Sequence, residues 1–377
     1  MLRPTPLVAG GLLLLALTIF SYGLPVEIRE PTAAVVPTLV TVTEPLTQPT
    51  EAPTIPSLPS TVTLAAAGDV MFDTFIYNWI TARGVDYPWE DVAPLFQAAD
   101  IALVNFESSC STQGTSTKPE GYGFRSPPHT LEGLVNAGID YVSLGNNHVL
   151  DYGTAAFADT LAHLTAAGIA HSGAGMNWQE AAAVTLLTHR EITLGFISLN
   201  AIVPHVGWIA GEESPGIIPL HSPADWEKAV EIVAAGKELC DLLVVIPHWG
   251  IEYAPRPSAD QRALAYRLID AGADLILGGH PHVLQGLEFY REKPIFYSLG
   301  NFIFLKMDDD AGKSALFSLE IDATGFLSCT LYPIFIQDCK ANLLAEENPM
   351  YGEILSRFSL LSAELGTTVV GNHVVKP

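Results

Sequence analysis

From Val62 onward, short runs of β-branched or apolar residues alternate with longer Ala-rich stretches. The runs are VTLAAA (62–67), IALV (101–104), YVSL (141–144), ITLGFISL (192–199), LLVVIP (242–247), DLIL (274–277) and PIFYSL (294–299). They read as strands covered on both faces. Residues 88–98, 128–137, 154–167, 223–239 and 258–271 read as the helices between them. Such an alternation predicts an α/β sandwich. Residues 314–322 and 326–336 alternate as antiparallel strands do, and 346–364 reads as a last helix packed back on the domain. No internal repeat is evident.

The N-terminal pattern is different. Arg3 precedes an uncharged, Leu-rich run from Leu7 to Leu24. That run is near the length that spans a bilayer, and it also fits the apolar region of a signal peptide. Tyr22 and Leu24 make a poor cleavage context. The expectation is therefore a membrane anchor within residues 1–30, with a cleaved signal as the alternative. Either places the rest of the chain outside the cytoplasm, at the cell membrane or secreted. Residues 31–61 are dominated by Pro and Thr. Proline fixes φ and removes donors, so this stretch reads as a semi-extended linker ahead of a domain over 62–377.

Composition narrows the function classes. Eighteen basic against 41 acidic residues give a net charge of −23. No Lys/Arg cluster exists to neutralise phosphates, which excludes nucleic acid as a partner, and the same balance opposes adhesion to an anionic lipid surface. The cysteines, at 110, 240, 329 and 339, form no CxxC pair, which argues against a zinc ribbon or thioredoxin-type site. Cys329 and Cys339 either bridge adjacent strands in an oxidising compartment or stay unpaired like the others.

The chemistry sits where apolar strands end. VTLAAA runs into Gly68-Asp69, IALV into Asn105-Phe106-Glu107, and YVSL into Gly145-Asn146-Asn147-His148. LLVVIP runs into His248-Trp249-Gly250, and DLIL into Gly278-Gly279-His280-Pro281-His282. In open α/β sheets, sites form beyond the carboxyl ends of strands. Carboxylate, amide and imidazole donors without thiolate suit first-row divalent metals such as Mn, Fe or Zn. Two such ions can activate water and clamp a phosphoryl or acyl oxygen. Each residue also has a plainer reading. Asp69 alone caps a helix as readily as it binds metal. Asn147 and His148 suit a turn. A lone His248 is more often a hydrogen-bonded core residue. His280 and His282 have no evident packing role, and four histidines following three strands make the joint metal reading the stronger one.

At these residues the sequence resembles the CapA family of poly-γ-glutamate capsule synthesis proteins, in the motifs GDVMF, LVNFES, GNNHVLDYG, HWGIEY, GGHPHVLQG and YSLGNFIF. The resemblance covers Val62 to about Val370. It implies a calcineurin-like metallophosphoesterase fold, a four-layer α-β-β-α sandwich. It also implies Asp69, Glu107, Asn147, His248, His280 and His282 as metal ligands, with His148 as an acid or substrate contact. Met71 stands where the superfamily has a further histidine, so one tight and one weaker metal position are expected. Arg125 either neutralises an anionic substrate group or lies at the surface. Asp151 either orients His148 or caps the next helix. Glu252 is a supporting partner or a surface charge. Asn301 closes the pocket or turns the chain, the turn being preferred.

The function expected is capsule or anionic-polymer synthesis, export or processing by a metal-dependent hydrolase. Its partners would be poly-γ-glutamate or a phosphoester substrate and a membrane synthase. The rivals are a non-catalytic polymer-handling subunit and a free-standing metallophosphoesterase.

Overall fold

Successive residues of the first strand, Thr61–Val70, enter different cores. Val62, Leu64 and Ala66 face one, while Ala65 and Ala67 face another, as the two-residue period of a strand dictates. The computed structural model describes residues 61–119, 121–305 and 309–377. The expected anchor (1–30) and linker (31–61) lie outside these residues, Thr61 excepted. Among the described residues no helix is long and apolar enough to cross a membrane.

A nine-stranded sheet runs in the order Lys340–Leu343, Gly325–Gln337, Lys313–Asp322, Thr61–Val70, Ile101–Phe106, Tyr141–Ser143, Ala170–Ser172. Asn301–Ile303 also pairs with Thr61–Val70, and His373–Val375 with Gly325–Gln337. A six-stranded sheet runs Leu287–Tyr290, Lys293–Phe296, Leu275–Leu277, Leu242–His248, Ile192–Asn200, Thr185–His189. Between the sheets, Leu64 and Leu103 pack with Phe196, Val244 and Leu277. Helices Leu131–Ala137 and Gly153–Ala166 bury Leu134 and Phe157 on the outer face of the larger sheet. Helices Pro223–Lys237 and Ala259–Asp270 bury Val233 and Leu268 on the outer face of the smaller one. Both of the latter start in capping boxes, Ser222 with Asp225 and Ser258 with Gln261. The four layers are α-β-β-α, as expected.

One local expectation fails. The helix expected over 88–98 is split into a 3₁₀ turn, Tyr87–Trp89, and a short helix, Ala93–Gln97. Pro94 cannot donate to the preceding turn, and its ring would collide with the carbonyl there, so it can only begin a new helix. Of the two readings of Cys329 and Cys339, the structure has the unpaired one, all four cysteines being free. Cys329 lies within the strand Gly325–Gln337, and Cys339 lies just past its end. The intervening extended chain spans roughly 25 Å, far beyond disulfide reach.

Strand Thr61–Val70 passes close to Gly300. A Cβ at Gly68 would lie 1.8 Å from the Gly300 carbonyl oxygen, the atom that accepts the Asp69 N–H at 2.9 Å. Gly68→Ala would force apart the pairing that places Asp69. A loss of about 2 kcal/mol or more is expected, as for other overpacked sites. Urea unfolding followed by circular dichroism checks it, and an unchanged midpoint would contradict it.

Candidate metal centre

Parallel strands turn at the same end, so their terminal residues collect along one edge. In the larger sheet Asp69 stands opposite both Asn105 and Asn301, and Asn105 opposite Ser143. In the smaller sheet His248 stands opposite Asn200 and bridges to Gly279. The two edges meet, and Asp69, Glu107, Asn147, His148, His248, His280 and His282 are all buried there. The cap reading of Asp69 falls away, because Asp73 caps the helix Thr74–Arg83 by accepting from the Phe75 and Ile76 N–H groups.

His248 Nε2 lies 2.7 Å from Asn147 Oδ1 and 3.5 Å from Glu107 Oε1. Donors bound to one small dication stand about 3 Å apart, a spacing with which these distances are compatible. Asp69, Glu107 and His248 each offer an atom within 4.8 Å of the others. Asp69 is held by flanking donors, His282 Nδ1 among them at 3.3 Å from its Oδ2. Its Oδ1 accepts from Asn105 Nδ2 at 2.8 Å, and its Oδ2 accepts from the His280 N–H at 3.2 Å. His282 donates Nδ1–H to Asn301 Oδ1 at 2.8 Å, which leaves Nε2 free to bind. The preferred turn reading of Asn301 is thereby corrected: it opens a strand and fixes the His282 ring.

The residues fit a dication on an independent ground. Both Glu107 carboxylate oxygens and His280 Nδ1 are buried without a hydrogen-bond partner, a costly state for polar groups. Burial, reinforced by the Asp69 charge, pushes Glu107 up to about 7. Burial likewise holds His248 down to about 3 and His280 to about 2, so both present neutral rings. For His282 burial works downward, but the Asp69 hydrogen bond and the Glu107 charge raise it to about 9. Asp69 resists its own burial through the hydrogen bond from His282 and the positive charge of that ring, and stays below the usual carboxylate range. The loop carrying the last two imidazoles is strained, with φ 94° at His280 and 58° at His282. Left-handed geometry at such residues costs about 1–3 kcal/mol and collects at functional sites. Gly279 is needed beside them, since a Cβ there would lie 2.8 Å from Asp69 Oδ1.

His148 donates Nδ1–H to Asp151 Oδ2 at 2.6 Å, and its ring stacks on Phe124 at 3.9 Å. Its Nε2 therefore faces inward, 3.7 Å from Glu107 Oε1. Asp151 does not cap the helix Gly153–Ala166; it also accepts from the Phe124 N–H at 2.9 Å. Asn146 shapes this loop by accepting the His148 and Val149 N–H groups, each at 3.1 Å. The doubled asparagine was its only signal in the sequence.

Arg125 does not face the centre. It donates to the Gln113 and Gly114 carbonyls and lies 4.1 Å from the Tyr152 ring. The cation beside His148 is Lys118, 3.0 Å from Asp151 Oδ1 and donating to the Asn147 carbonyl at 2.7 Å. Nothing in its polar loop singled Lys118 out; Thr117 ties that loop down by donating its N–H to the Asp151 carbonyl at 2.7 Å. Met71 is fully buried in the outer core and offers the centre nothing. Asn147 and His148 open onto a cleft of about 710 Å³, lined also by Lys118, Tyr122, Trp208 and Glu252.

The chain is similar to known proteins along most of its length. It is 31% identical to the capsule biosynthesis protein CapA of Bacillus anthracis over 283 residues, covering 74% of this chain and 68% of that one. It is also 31% identical to the PGA biosynthesis protein CapA of Bacillus subtilis, covering 72% and 70%. Among solved structures, a novel phosphatase from Mycoplasma pneumoniae aligns at 14% identity with a TM-score of 0.45, covering 74% of this chain and 95% of that one. The family described as "Bacterial capsule synthesis protein PGA_cap" matches residues 63–306, and with these relatives it shows that the chain belongs to the CapA-type capsule and polyglutamate synthesis family.

Proposed function

We propose that the protein acts outside the cytoplasm, tethered to the membrane by its N-terminal segment. There it serves capsule or poly-γ-glutamate synthesis, export or processing through a metal-dependent hydrolytic centre. The observation that carries the reading is Glu107, a buried carboxylate with neither oxygen partnered, 3.5 Å from the neutral ring of His248. Asp69, Glu107, Asn147, His248, His280 and His282 would hold the ion. When bound, it supplies Lewis acidity and a water acidified toward neutral pH. The protein's own groups do the rest. His148, oriented by Asp151 through Nδ1–H, carries a proton on Nε2 to the leaving group, and Asp151 stabilises the imidazolium. Lys118 brings positive charge to a cleft that must admit an anionic phosphoester or glutamyl chain. The Leu7–Leu24 run and the Pro/Thr-rich linker support the tethered location.

Purified full-length protein is expected to hold at least one Mn²⁺, Fe²⁺ or Zn²⁺ per chain and to hydrolyse a generic phosphodiester or a γ-glutamyl amide. Absence of bound metal after incubation with Mn²⁺ or Zn²⁺ would overturn the centre. Met71, buried away from the ligands, favours a second reading, a non-catalytic polymer-handling subunit. Metal without turnover of either substrate, together with a capsule defect when the protein is absent, would select it.

A further inference from the structure

His148 has a cation beside the nitrogen that does its work. Lys118 Nζ lies 3.5 Å from His148 Nε2, the atom assigned above to carry a proton to the leaving group. Two of the three ammonium N–H groups have acceptors, Asp151 Oδ1 at 3.0 Å and the Asn147 carbonyl at 2.7 Å. His148 Nδ1, 3.1 Å away, cannot accept the third, because it donates its own proton to Asp151 Oδ2. Nε2 cannot accept it either while it carries the proton of an acid. One N–H of Lys118 is therefore left for a ligand.

Lys118 stands on the cleft side of the acid. His148 Nε2 has Glu107 at 3.7 Å on its inner side, whereas Lys118 lines the cleft with Trp208, whose ring lies 5.6 Å from Nζ. The Lys118 side chain is 15% exposed, open enough to be reached and dry enough for a charge-assisted hydrogen bond to count. Among the described residues no other Lys or Arg lines this cleft, and Glu252 on its wall opposes a second anionic group. The cleft thus recognises one anionic group, and only next to the atom that His148 protonates.

We propose that Lys118 determines specificity by binding a carboxylate on the carbon attached to the scissile nitrogen, so that the centre cleaves amides whose leaving group is an α-amino acid. In such a leaving group the carboxylate oxygens stand roughly 3 Å from the nitrogen. Lys118 Nζ and His148 Nε2, 3.5 Å apart, can then donate side by side, one to the carboxylate and one to the nitrogen. A simple alkylamine offers Lys118 nothing at that place. Water adds to the carbonyl carbon, the C–N bond breaks, and the nitrogen takes the proton from His148 Nε2. The products are a carboxylic acid and the free amino acid.

The inference rests on the hydrolytic reading above, and the two fail differently. Full-length protein incubated with Mn²⁺ is given γ-glutamylglycine and γ-glutamylethylamide, whose leaving amines differ only in a carboxylate against a methyl group. Wild type is expected to favour the first by at least about tenfold in kcat/KM, the effect of one charge-assisted hydrogen bond. Lys118→Met should abolish the preference, and Lys118→Arg should keep most of it. A merely structural loss would slow both substrates alike and leave their ratio unchanged. Equal rates in wild type, or a preference that survives Lys118→Met, would overturn the inference while hydrolysis stands. So would turnover of a generic phosphodiester with neither amide cleaved. No turnover of any of these substrates would overturn the hydrolytic reading with it. The wild-type comparison uses no variant, so a Lys118→Met chain that fails to fold does not shelter the inference.

Discussion

Lowering the pH from 8 to 6 is expected to weaken divalent-metal binding about a thousandfold. The cause lies in two ligands that hold protons when no ion is bound. Glu107 keeps its proton up to about 7 and His282 up to about 9. Metal binding needs the carboxylate form of the first and the neutral ring of the second, so binding expels their protons. Between these two values one proton is displaced, and affinity falls about tenfold per pH unit on acidification; below the lower value two are displaced and the slope approaches about a hundredfold. Both groups are raised above their ordinary values, so the loss comes on falling pH. His248 at about 3 and His280 at about 2 add nothing in this window. Competition against a chelator at the two pH values, corrected for the chelator's own protonation, reads the effect directly. A flat affinity would show that Glu107 and His282 are not displaced by the ion.

His148→Ala is expected to lower turnover by about 10²–10⁴-fold with metal content unchanged. Its Nδ1 is occupied by Asp151, and its Nε2 faces Glu107 at 3.7 Å, the arrangement of a proton carrier beside the ion. His282→Ala should instead lose metal and activity together. Paired measurements of metal content and hydrolysis separate the roles. Loss of metal from His148→Ala as complete as from His282→Ala would make His148 a ligand. Turnover unchanged in His148→Ala would remove it from the chemistry.

The two roles follow from features of different legibility. The Gly-Asn-Asn-His and Gly-Gly-His-Pro-His segments stand out in the chain because each breaks an apolar run with polar residues that packing does not require. Lys118 does not stand out: its loop is polar throughout, and only the Thr117 N–H bond to the Asp151 carbonyl brings it to His148. Arg125 was the more conspicuous cation, yet the Tyr152 ring and two backbone carbonyls hold it elsewhere. Asn301 looked like a turn residue because it follows a strand; parallel pairing with Asp69 makes it the anchor of His282.

Local pattern alone determined the α/β class, the order of the principal strands and the edge at which the donors gather. Continuous apolar runs form strands buried on both faces, and parallel strands must turn at a common end. It could not determine which donors meet. Asn147 and His248 are 101 residues apart, and Asp69 and His280 are 211 apart. Contacts of that span depend on how two sheets stack and on how loops close over their edge. The same limit applies to Met71, which lies just past the strand Thr61–Val70 and packs with Val70 and Phe72 in the outer core. Periodicity along a chain encodes which face a residue takes; packing between layers decides what it meets there.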